Sequence, residues 1–318
     1  MEKPLSWLLA AALIASLLAV GGCGEQQQPL KIARHLWPGY EFMYLAEALG
    51  QVDGNHIEFV QTQTAPDTLE LLLSGQVDGG ALTLDEVLRA HDRGLPLVAV
   101  LVFNISAGAD VLLARADIDT LAELRGRKIG VETGAVGAIM LDRALHAAGL
   151  SPDQVEVVPL GLDEQVSAWR SERMDAVITY EPNASQIRAL GARKLFSSRK
   201  APNLIVDVLA FRPEALQRHE SIRHLVDAHF AAQKHFLSNP VDAGYRLAPR
   251  LGVPPGQVNS MYNGLLLPQR ENNMRLLSGN PPQLQQDASS LVSIMHAADM
   301  IQLQRVPHGL VDDRFIGK

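Results

Sequence analysis

The segment LRGRKIGVETGAVGAIMLDRALHAAGL, residues 124–150, has the pattern of a strand, a short loop and an amphipathic helix. The strand ends in Glu132, and Thr133, Gly134 and Ala135 form the loop at the helix start. Small residues there expose unpaired backbone N–H groups and the positive end of the helix dipole, and both favour an oxygen-rich anion. The three loop residues are therefore candidate ligand contacts. A tight turn that merely needs small residues is the alternative interpretation.

Other catalytic and cofactor motifs are not indicated. The spacing G-x-G-x-x-G fails because position 132 is Glu, and G-x-x-x-x-G-K-[ST] occurs nowhere. No G-x-S-x-G elbow presents a nucleophile, so a hydrolase triad is not predicted. One predicted helix carries four histidines at steps of five or six residues, which scatter around its circumference and predict no metal site: His219, His224, His229 and His235.

A second candidate site is the turn Trp37-Pro38-Gly39-Tyr40, between an apolar run and a predicted helix. Pro and Gly shape a turn at the carboxyl end of the first strand, where open α/β sheets bind ligands. This turn would present Trp37 and Tyr40, whose faces offer apolar contact, stacking or a seat for a cation. The alternative is that both rings fill the core at the sheet edge.

Three acidic residues without an adjacent Arg in their motifs are also candidates: Glu41, Asp85 and Glu181. If two of them face a common cleft, they favour a ligand with an amine or another hydrogen-bond donor, while the helix start takes an acidic end. A taurine-like zwitterion or an aminopyrimidine fits this pattern better than bare nitrate. Taken singly, each acid is more often a solvated surface residue or a helix cap.

Strands and helices alternate along the chain. The apolar runs LKIARHL, IEFVQT, DGGALTL and LVAVLVF are separated by helical patterns at 41–50, 66–75 and 85–93. A second series starts near residue 117, with a helix around TLAEL, strands KIGVE, VEVVPL and DAVITY, and helices at 135–149, 163–173 and 183–190. This alternation predicts βαβ units and parallel strands. The strand LIVDVLAF, 204–211, follows, and the chain turns helical from Pro213 to Gln304.

We therefore predict an α/β fold of two lobes, each a mostly parallel sheet flanked by helices. The first predicted lobe comprises residues 30–112 and 206–318, including the helical return, and the second comprises 113–205. Strands near 110–114 and 204–209 are the predicted crossings. Two crossings make a hinge, so the cleft between the lobes is the predicted ligand site.

The first residues have a different character. Lys3 precedes an apolar run from Leu5 to Val20, which is short for a membrane span and fits an export signal, so we exclude residues 1–22 from the fold. The ending Val-Gly-Gly-Cys resembles a bacterial lipobox, which implies a lipidated Cys23 and a membrane-held protein with residues 23–29 as a tether. An ordinary signal peptide with a chance cysteine is the alternative.

Composition limits the remaining classes. The chain has 318 residues, 47% of them hydrophobic, which suits globular domains with real cores. Cys23 is the only cysteine, which excludes an internal disulfide, a catalytic cysteine and a thiolate metal site in the mature domain. The net charge of −7 argues against a nucleic-acid partner, because phosphate binding needs a basic face. We expect a monomer without a cofactor or metal.

The motif order resembles the nitrate/sulfonate/taurine and thiamine-precursor (NMT1/THI5-like) group of ABC-transporter solute-binding proteins. The resemblance is carried by L-x-G-x-K-I-G-V, the small-residue loop, a helix ending A-L-x-x-A-G-L, a V-E-V-V strand and M-D-A-V-I-T-Y-E-P. The segment S-G-Q-V-D-G-G-A-L-T-L-D-E-V-L, 74–88, resembles the first lobe of that group. Agreement in order covers residues 30–211. It implies a type II periplasmic-binding-protein fold whose lobes close on a small ligand.

The resemblance also implies where the ligand is contacted. The positions are the turn after the first strand, the second and third strand ends, the second-lobe helix start and the Y-E-P turn. In this sequence they are Trp37, Tyr40, Glu41, Thr62, Thr64, Thr83, Asp85, Thr133, Gly134, Ala135, Tyr180 and Glu181, with Asp207 on the returning strand as a weaker candidate.

These features predict a lipid-anchored solute-binding protein in the periplasm or at the cell surface, and not an enzyme. It would capture a sulfonate-like, taurine-like or aminopyrimidine-like small molecule and deliver it to an ABC permease. One alternative is a binding module that docks on a membrane sensor. Another is an enzyme that makes the thiamine pyrimidine, against which the lack of any cysteine after Cys23 counts.

Overall fold

The computed structural model describes residues 28–134 and 136–317. The predicted export signal, Cys23 and Ala135 lie outside the described residues. The strands are β1 (Leu30–Arg34), β2 (Ile57–Gln61), β3 (Gly79–Thr83), β4 (Val98–Ser106), β5 (Val111–Ala114), β6 (Lys128–Val131), β7 (Glu156–Pro159), β8 (Ala176–Thr179), β9 (Arg193–Ser197), β10 (Val206–Phe211) and β11 (Leu265–Leu266).

The helices of the described residues flank these strands. They are α1 (Glu41–Ala48), α2 (Ala65–Leu73), α3 (Leu84–Asp92), α4 (Val136–Ala148), α5 (Leu162–Arg170), α6 (Asn183–Ala189), α7 (His219–Ser238), α8 (Pro240–Leu251), α9 (Arg270–Leu277) and α10 (Gln283–Ala297). None of these described helices is long and apolar enough to cross a membrane.

The strands form two sheets with the same plan. The six-stranded sheet has the order β11-β4-β10-β3-β1-β2, and the five-stranded sheet has the order β7-β6-β8-β5-β9. In the first sheet β1 to β4 share one direction, and β10 lies antiparallel between β3 and β4. In the second sheet β6 to β9 share one direction, and β5 lies antiparallel between β8 and β9. Each inserted strand follows directly after a strand of the other sheet, β5 after β4 and β10 after β9.

The α/β fold with two sheets is thus confirmed, and the inserted strands explain why each sheet is mixed. We call residues 28–106 and 206–317 the first lobe and residues 111–197 the second lobe. The boundary predicted between residues 112 and 113 falls inside β5, which pairs only with strands of the second sheet. The two connections between the lobes are residues 107–110 and 198–205.

The two connections are bonded to each other, mainly through Ser198. Its hydroxyl lies 2.7 Å from the Ser106 hydroxyl and accepts a hydrogen bond from the Gly108 N–H at 2.7 Å. Its own N–H donates to the Asp110 carbonyl at 2.9 Å. The connections therefore run side by side as one narrow hinge.

Central strands in both sheets are buried along their whole length. This holds for β3, β5, β8 and β10, which read as the nearly continuous apolar runs expected between two layers of helices. Asp207 is the single charged residue of β10, in the sequence VDVLAF, and it is 2% exposed. Burying a charge at such a position costs free energy unless hydrogen bonds or an opposite charge compensate for the lost water.

Several predicted elements differ from the structure. The helix expected around TLAEL is a 3-10 turn at Leu121–Leu124. The predicted helical return is broken by the 3-10 segment Pro255–Tyr262 and by β11, and it ends at Ala297. Prolines and glycine at 254–256 account for the break. β9 was not predicted because its sequence RKLFS places charged residues on a partly exposed edge strand.

Candidate functional site

A cavity lies between the two lobes, beside the hinge. Its volume of about 20 Å³ is room for about one water molecule. The first lobe contributes seven lining residues: His35, Trp37, Tyr40, Ala65, Thr83, Glu86 and Asp207. The second lobe contributes Glu132, Val136 and Tyr180, and the connections contribute Asp110 and Ile205. Most of these residues follow a strand or begin a helix, which is where open α/β sheets bind ligands.

A chain of hydrogen bonds fixes the first-lobe wall. The indole N–H of Trp37 donates to Asn104 Oδ1 at 3.0 Å, and Asn104 Nδ2 donates to Asp207 Oδ2 at 2.6 Å. The Tyr40 hydroxyl donates to the other carboxyl oxygen of Asp207 at 2.6 Å. Both oxygens of the buried Asp207 therefore have partners, and the two aromatic rings are held in fixed positions.

The turn at Pro38–Tyr40 depends on Gly39 for this arrangement. A Cβ atom at position 39 would lie 1.7 Å from Asn104 Oδ1 and 2.7 Å from Trp37 Nε1. Only glycine lets the turn approach the Asn104 amide this closely. Tyr40 then packs edge-on against His35 at 5.2 Å between ring centroids. The contacts of the first-lobe wall thus explain why this turn contains Trp37, Gly39 and Tyr40.

The two lobes touch across the cavity. Trp37 and Tyr180 meet edge to face, with centroids 4.9 Å apart and ring planes at 87°. At the rim of the cleft, Gly134 lies against Pro66, so that a Cβ on Gly134 would be 3.1 Å from Pro66 Cγ. The two lobes are therefore in contact through this aromatic pair and through the start of α2 against the loop before α4.

Four carboxyl groups line the cavity: Glu86, Asp110, Glu132 and Asp207. Each belongs to a residue that is at most 7% exposed. Neither oxygen of Glu132 accepts a hydrogen bond from the described residues. The same is true of Oε1 of Glu86 and Oδ2 of Asp110. None of the lining residues is a lysine or arginine. The described lining of the cavity is therefore rich in carboxyl groups and has no strongly basic side chain.

Burial raises the pKa of each of these carboxyls, and neighbouring carboxylates raise it further. The pKa of Asp207 rises to about 8, that of Glu132 to about 7 and that of Asp110 to about 6. The pKa of Glu86 lies well above its ordinary value because of burial and the charge of Asp85. Burial lowers the pKa of His35 to about 4, so this imidazole is neutral at pH 7. The wall gains negative charge as the pH rises from about 6 to 8.

The structure brings five of the predicted residues to the cavity: Trp37, Tyr40, Thr83, Tyr180 and the weaker candidate Asp207. Thr83 donates its hydroxyl to Asp85 at 2.7 Å, and Asp85 also lies 3.5 Å from Arg89. Asp85 is thus buried behind the wall instead of lining it. The assignment of these residues to ligand binding stays a prediction.

Other predicted residues have structural partners away from the cavity. Glu41 is fully buried and pairs with Arg250, which is distant in sequence. Thr62 shares a hydrogen bond of 2.7 Å with the Thr68 hydroxyl, and Thr64 caps α2 through a capping box with Asp67. Glu181 accepts hydrogen bonds from the N–H and the hydroxyl of Ser185, a residue in the first turn of α6.

The second-lobe loop lies at the edge of the cleft. Thr133 and Gly134 are exposed, and Gly134 lines a separate surface groove with Pro66 and Arg89. The residue of this segment that reaches the cavity is Glu132. The predicted anion contact at this helix start therefore has a buried carboxyl beside it.

Sequence reasoning did not select five polar residues of the site: His35, Glu86, Asn104, Asp110 and Glu132. For Asn104 a signal was present, because it is the single amide in the apolar strand VAVLVFNIS and is fully buried. A polar residue inside a continuous apolar run is expected to have a buried partner. The carboxyls of Glu86 and Glu132 follow strand ends by one to three residues, but their direction depends on the tertiary fold.

The sequence matches one protein family and several curated binding proteins. The sequence profile of the family described as NMT1/THI5 like matches residues 37–243. A protein of Escherichia coli K12 described as an aliphatic sulfonates-binding protein is 26% identical over 201 residues, which is 62% of this chain and 63% of that protein. A formylaminopyrimidine-binding protein of Halalkalibacterium halodurans is 26% identical over 182 residues, 55% of each chain. The chain spans about half the length of several curated relatives that it matches.

A solved structure shows the same fold. The alkanesulfonate-binding protein of Xanthomonas axonopodis pv. citri, bound to MOPS, superposes with a TM-score of 0.77 at 18% identity, covering 90% of this chain and 99% of that one. The predicted two-lobed periplasmic-binding-protein fold is thereby confirmed.

Proposed function

The chain belongs to the NMT1/THI5-like family, and from this premise we propose that it is an extracytoplasmic solute-binding protein that captures a small organic molecule between its lobes. The main support for this proposal is the cavity, because its lining comes from the first lobe, the second lobe and both connections. A molecule held there contacts both lobes at once and so favours the closed arrangement over an open one.

Capture requires the lobes to separate. A cavity of about 20 Å³ is far smaller than a small organic ligand, so Trp37 and Tyr180 must move apart before a ligand enters. The connections 107–110 and 198–205 are the segments about which this motion takes place. Reclosure then seats the ligand between the Trp37 and Tyr180 walls. No bond of the ligand needs to be broken, and we assign no enzymatic activity.

The closed form would deliver its ligand to an ABC permease. Support comes from the family, from the two-lobed fold and from relatives whose names describe binding proteins. Lipid on Cys23 would hold the protein on a membrane surface, which the lipobox-like ending supports. The named relatives suggest two ligand classes, sulfonate-like or taurine-like molecules and aminopyrimidine-like molecules.

The first test is a thermal-shift screen of the chain without its predicted export segment. The panel contains taurine, alkyl- and arylsulfonates, nitrate, aminopyrimidines and small carboxylates. A ligand at about a hundredfold excess over its Kd stabilises the folded state by about 2.7 kcal/mol, which is readily detected. Small-angle scattering of each hit should show a smaller radius of gyration. A hit that leaves the radius unchanged would contradict capture between closing lobes.

A further inference from the structure

We propose that the cavity selects a small organic cation that carries N–H donors, and that it excludes anions of the same shape. This inference rests on the proposed capture function. It names the charge of the ligand, which the family and the fold leave open.

The first observation is the one-sided charge of the lining. Glu86, Asp110, Glu132 and Asp207 face one small cavity whose lining includes no lysine or arginine. The imidazole of His35 has no positive charge at pH 7, because burial lowers its pKa to about 4. A carboxylate or sulfonate placed among these groups would meet further acidic groups and no cation. An ammonium, amidinium or protonated amino-heterocycle would meet complementary charge.

The second observation is the set of unused acceptors. Both oxygens of Glu132, Oε1 of Glu86 and Oδ2 of Asp110 are buried and accept no hydrogen bond from the described residues. Unpartnered buried oxygens of this kind are costly, so a ligand that supplies N–H donors recovers free energy that the protein alone does not. These acceptors come from α3, from the connection 107–110 and from the end of β6, so one ligand would bridge the lobes.

The third observation is the aromatic part of the lining. Trp37 and Tyr180 meet at the cavity and Tyr40 lies beside Trp37. The faces of Trp and Tyr attract cations and favour flat, delocalised ones that also stack. Carboxyls and aromatic rings together therefore favour an organic cation. A metal ion is a poorer match, because the described residues bring no three His, Cys, Asp or Glu side chains close enough to hold one.

Binding of a cation should release protons. Burial gives Asp110 a pKa of about 6 and Glu132 one of about 7, so part of these groups is protonated at pH 7. A cation beside them favours the ionised form, and the displaced proton passes to the buffer. Affinity for the cation should then rise with pH between about 5 and 8. The other titratable groups that face these carboxyls are His35, Tyr40, Asp67, Asp85, Asp163 and Tyr180.

Isosteric pairs of compounds test the inference directly. Acetamidinium matches acetate in shape, and benzamidinium matches benzoate, while each pair differs in charge and in donors. Calorimetric titrations at pH 7 in two buffers of different ionisation enthalpy give the affinity and the number of protons released. We expect at least one amidinium to bind about tenfold or more tighter than its carboxylate, with net proton release. Its affinity should be higher at pH 8 than at pH 5.

The variant Glu132→Gln tests the carboxyl that has no partner. It keeps the shape of the side chain, and we expect it to weaken amidinium binding about tenfold or more and to reduce proton release. The melting temperature without ligand should not fall, since no hydrogen bond from the described residues is lost. Glu58→Gln is the matched control. Glu58 is exposed on β2, so this substitution makes the same chemical change away from the cavity.

The outcomes separate this inference from the capture function. If a carboxylate or sulfonate binds as tightly as the amidinium and compacts the protein, capture stands and cation selection is wrong. Equal amidinium affinity and proton release in the wild type and Glu132→Gln would also overturn the inference. If neither the isosteric pairs nor the wider screen contains a ligand that binds, both proposals fail.

Discussion

The two lobes are built on one plan but present different walls to the cavity. In each sheet the strand that arrives from the other lobe is inserted antiparallel between the third and fourth strands. On the first-lobe side, Trp37, Asn104 and Asp207 satisfy one another through hydrogen bonds, and among that lobe's cavity-lining carboxyl oxygens only Oε1 of Glu86 accepts none from the described residues. On the second-lobe side, Glu132 has two buried oxygens without a partner among the described residues.

This difference suggests an order of events. The hydrogen-bonded part of the first-lobe wall should keep its shape when the lobes are apart, because its hydrogen bonds lie within one lobe. In the proposed open form a carboxyl such as Glu132 would be hydrated, and it would lose this water on closing. We infer that the first lobe is the preformed seat and that closure of the second lobe depends on donors that the ligand supplies.

Gly39→Ala should give the largest effect, because it attacks the preformed wall. The new Cβ would clash with Asn104 Oδ1 and separate it from the Trp37 indole. We expect a loss of about 2–4 kcal/mol in the free energy of unfolding, from overpacking together with a broken buried hydrogen bond. Urea denaturation measures this loss.

Gly54→Ala is the matched control for that substitution. Nothing lies within 4 Å of a Cβ at position 54. Its unfolding free energy should stay within about 0.5 kcal/mol of the wild type. Equal stabilities of the two variants would show that the wall adapts, and the first lobe would then not be a preformed seat.

The pH dependence of stability should be the next largest effect. Burial raises the pKa of Asp207 to about 8 and that of Glu132 to about 7, whereas both groups titrate near pH 4 in an unfolded chain, at about 3.9 and 4.3. Between about pH 4 and 8 the folded protein therefore holds more protons than the unfolded one. Stability from these groups is complete below about pH 4 and is lost as the pH rises through 7 and 8.

Melting temperatures without ligand test this sign. We expect the wild type to melt at a lower temperature at pH 8 than at pH 5. Glu132→Gln should reduce this difference, because the variant takes up about one proton fewer on folding. Glu58→Gln should keep the full difference, since its exposed carboxyl lies on β2. If the melting temperature of the wild type instead rises from pH 5 to pH 8, after comparison with Glu58→Gln over the same range, a cluster of buried, protonated carboxyls is contradicted.

A third effect compares the two aromatic residues across the cavity. Trp37→Ala removes a ring that lines the cavity and also leaves Asn104 Oδ1 without its donor. It should weaken ligand binding by more than about 1 kcal/mol and also lower the unfolding free energy. Tyr180→Ala should weaken binding similarly with a smaller loss of stability, because the described residues show no hydrogen bond from its side chain. Calorimetry and urea denaturation separate the two quantities, and equal losses of stability would remove the contrast.

The fold could be predicted from the sequence because its signals are local. Apolar runs such as LVAVLVF alternate with helical patterns, and the central strands β3, β5, β8 and β10 are continuous buried runs. The turn at Trp37–Tyr40 could be placed for the same reason, since Pro and Gly mark it. β9 was missed because an edge strand with charged residues lacks that signal.

The site was predictable only in part because its partners are distant in sequence. Glu41 was selected as a candidate acid, but Arg250 lies 209 residues away and neutralises it inside the first lobe. Glu86 and Asp85 are neighbours on α3, and only the packing decides that the carboxyl of Glu86 reaches the cavity while Asp85 bonds to Thr83. Charge partners and side-chain directions of this kind come from the tertiary structure.

The smallest effect concerns the rim, where the lobes meet outside the cavity. A Cβ at position 134 would lie 3.1 Å from Pro66 Cγ, a contact that exists only between the closed lobes. Gly134→Ala should therefore leave urea stability unchanged and lower ligand affinity by about twofold to fivefold, or roughly 0.5–1 kcal/mol. Gly256→Ala, with nothing within 4 Å of its Cβ, serves as the control. If Gly134→Ala lowers stability and leaves affinity intact, position 134 acts within the second lobe, and the seat and the closing lobe do not meet at this rim.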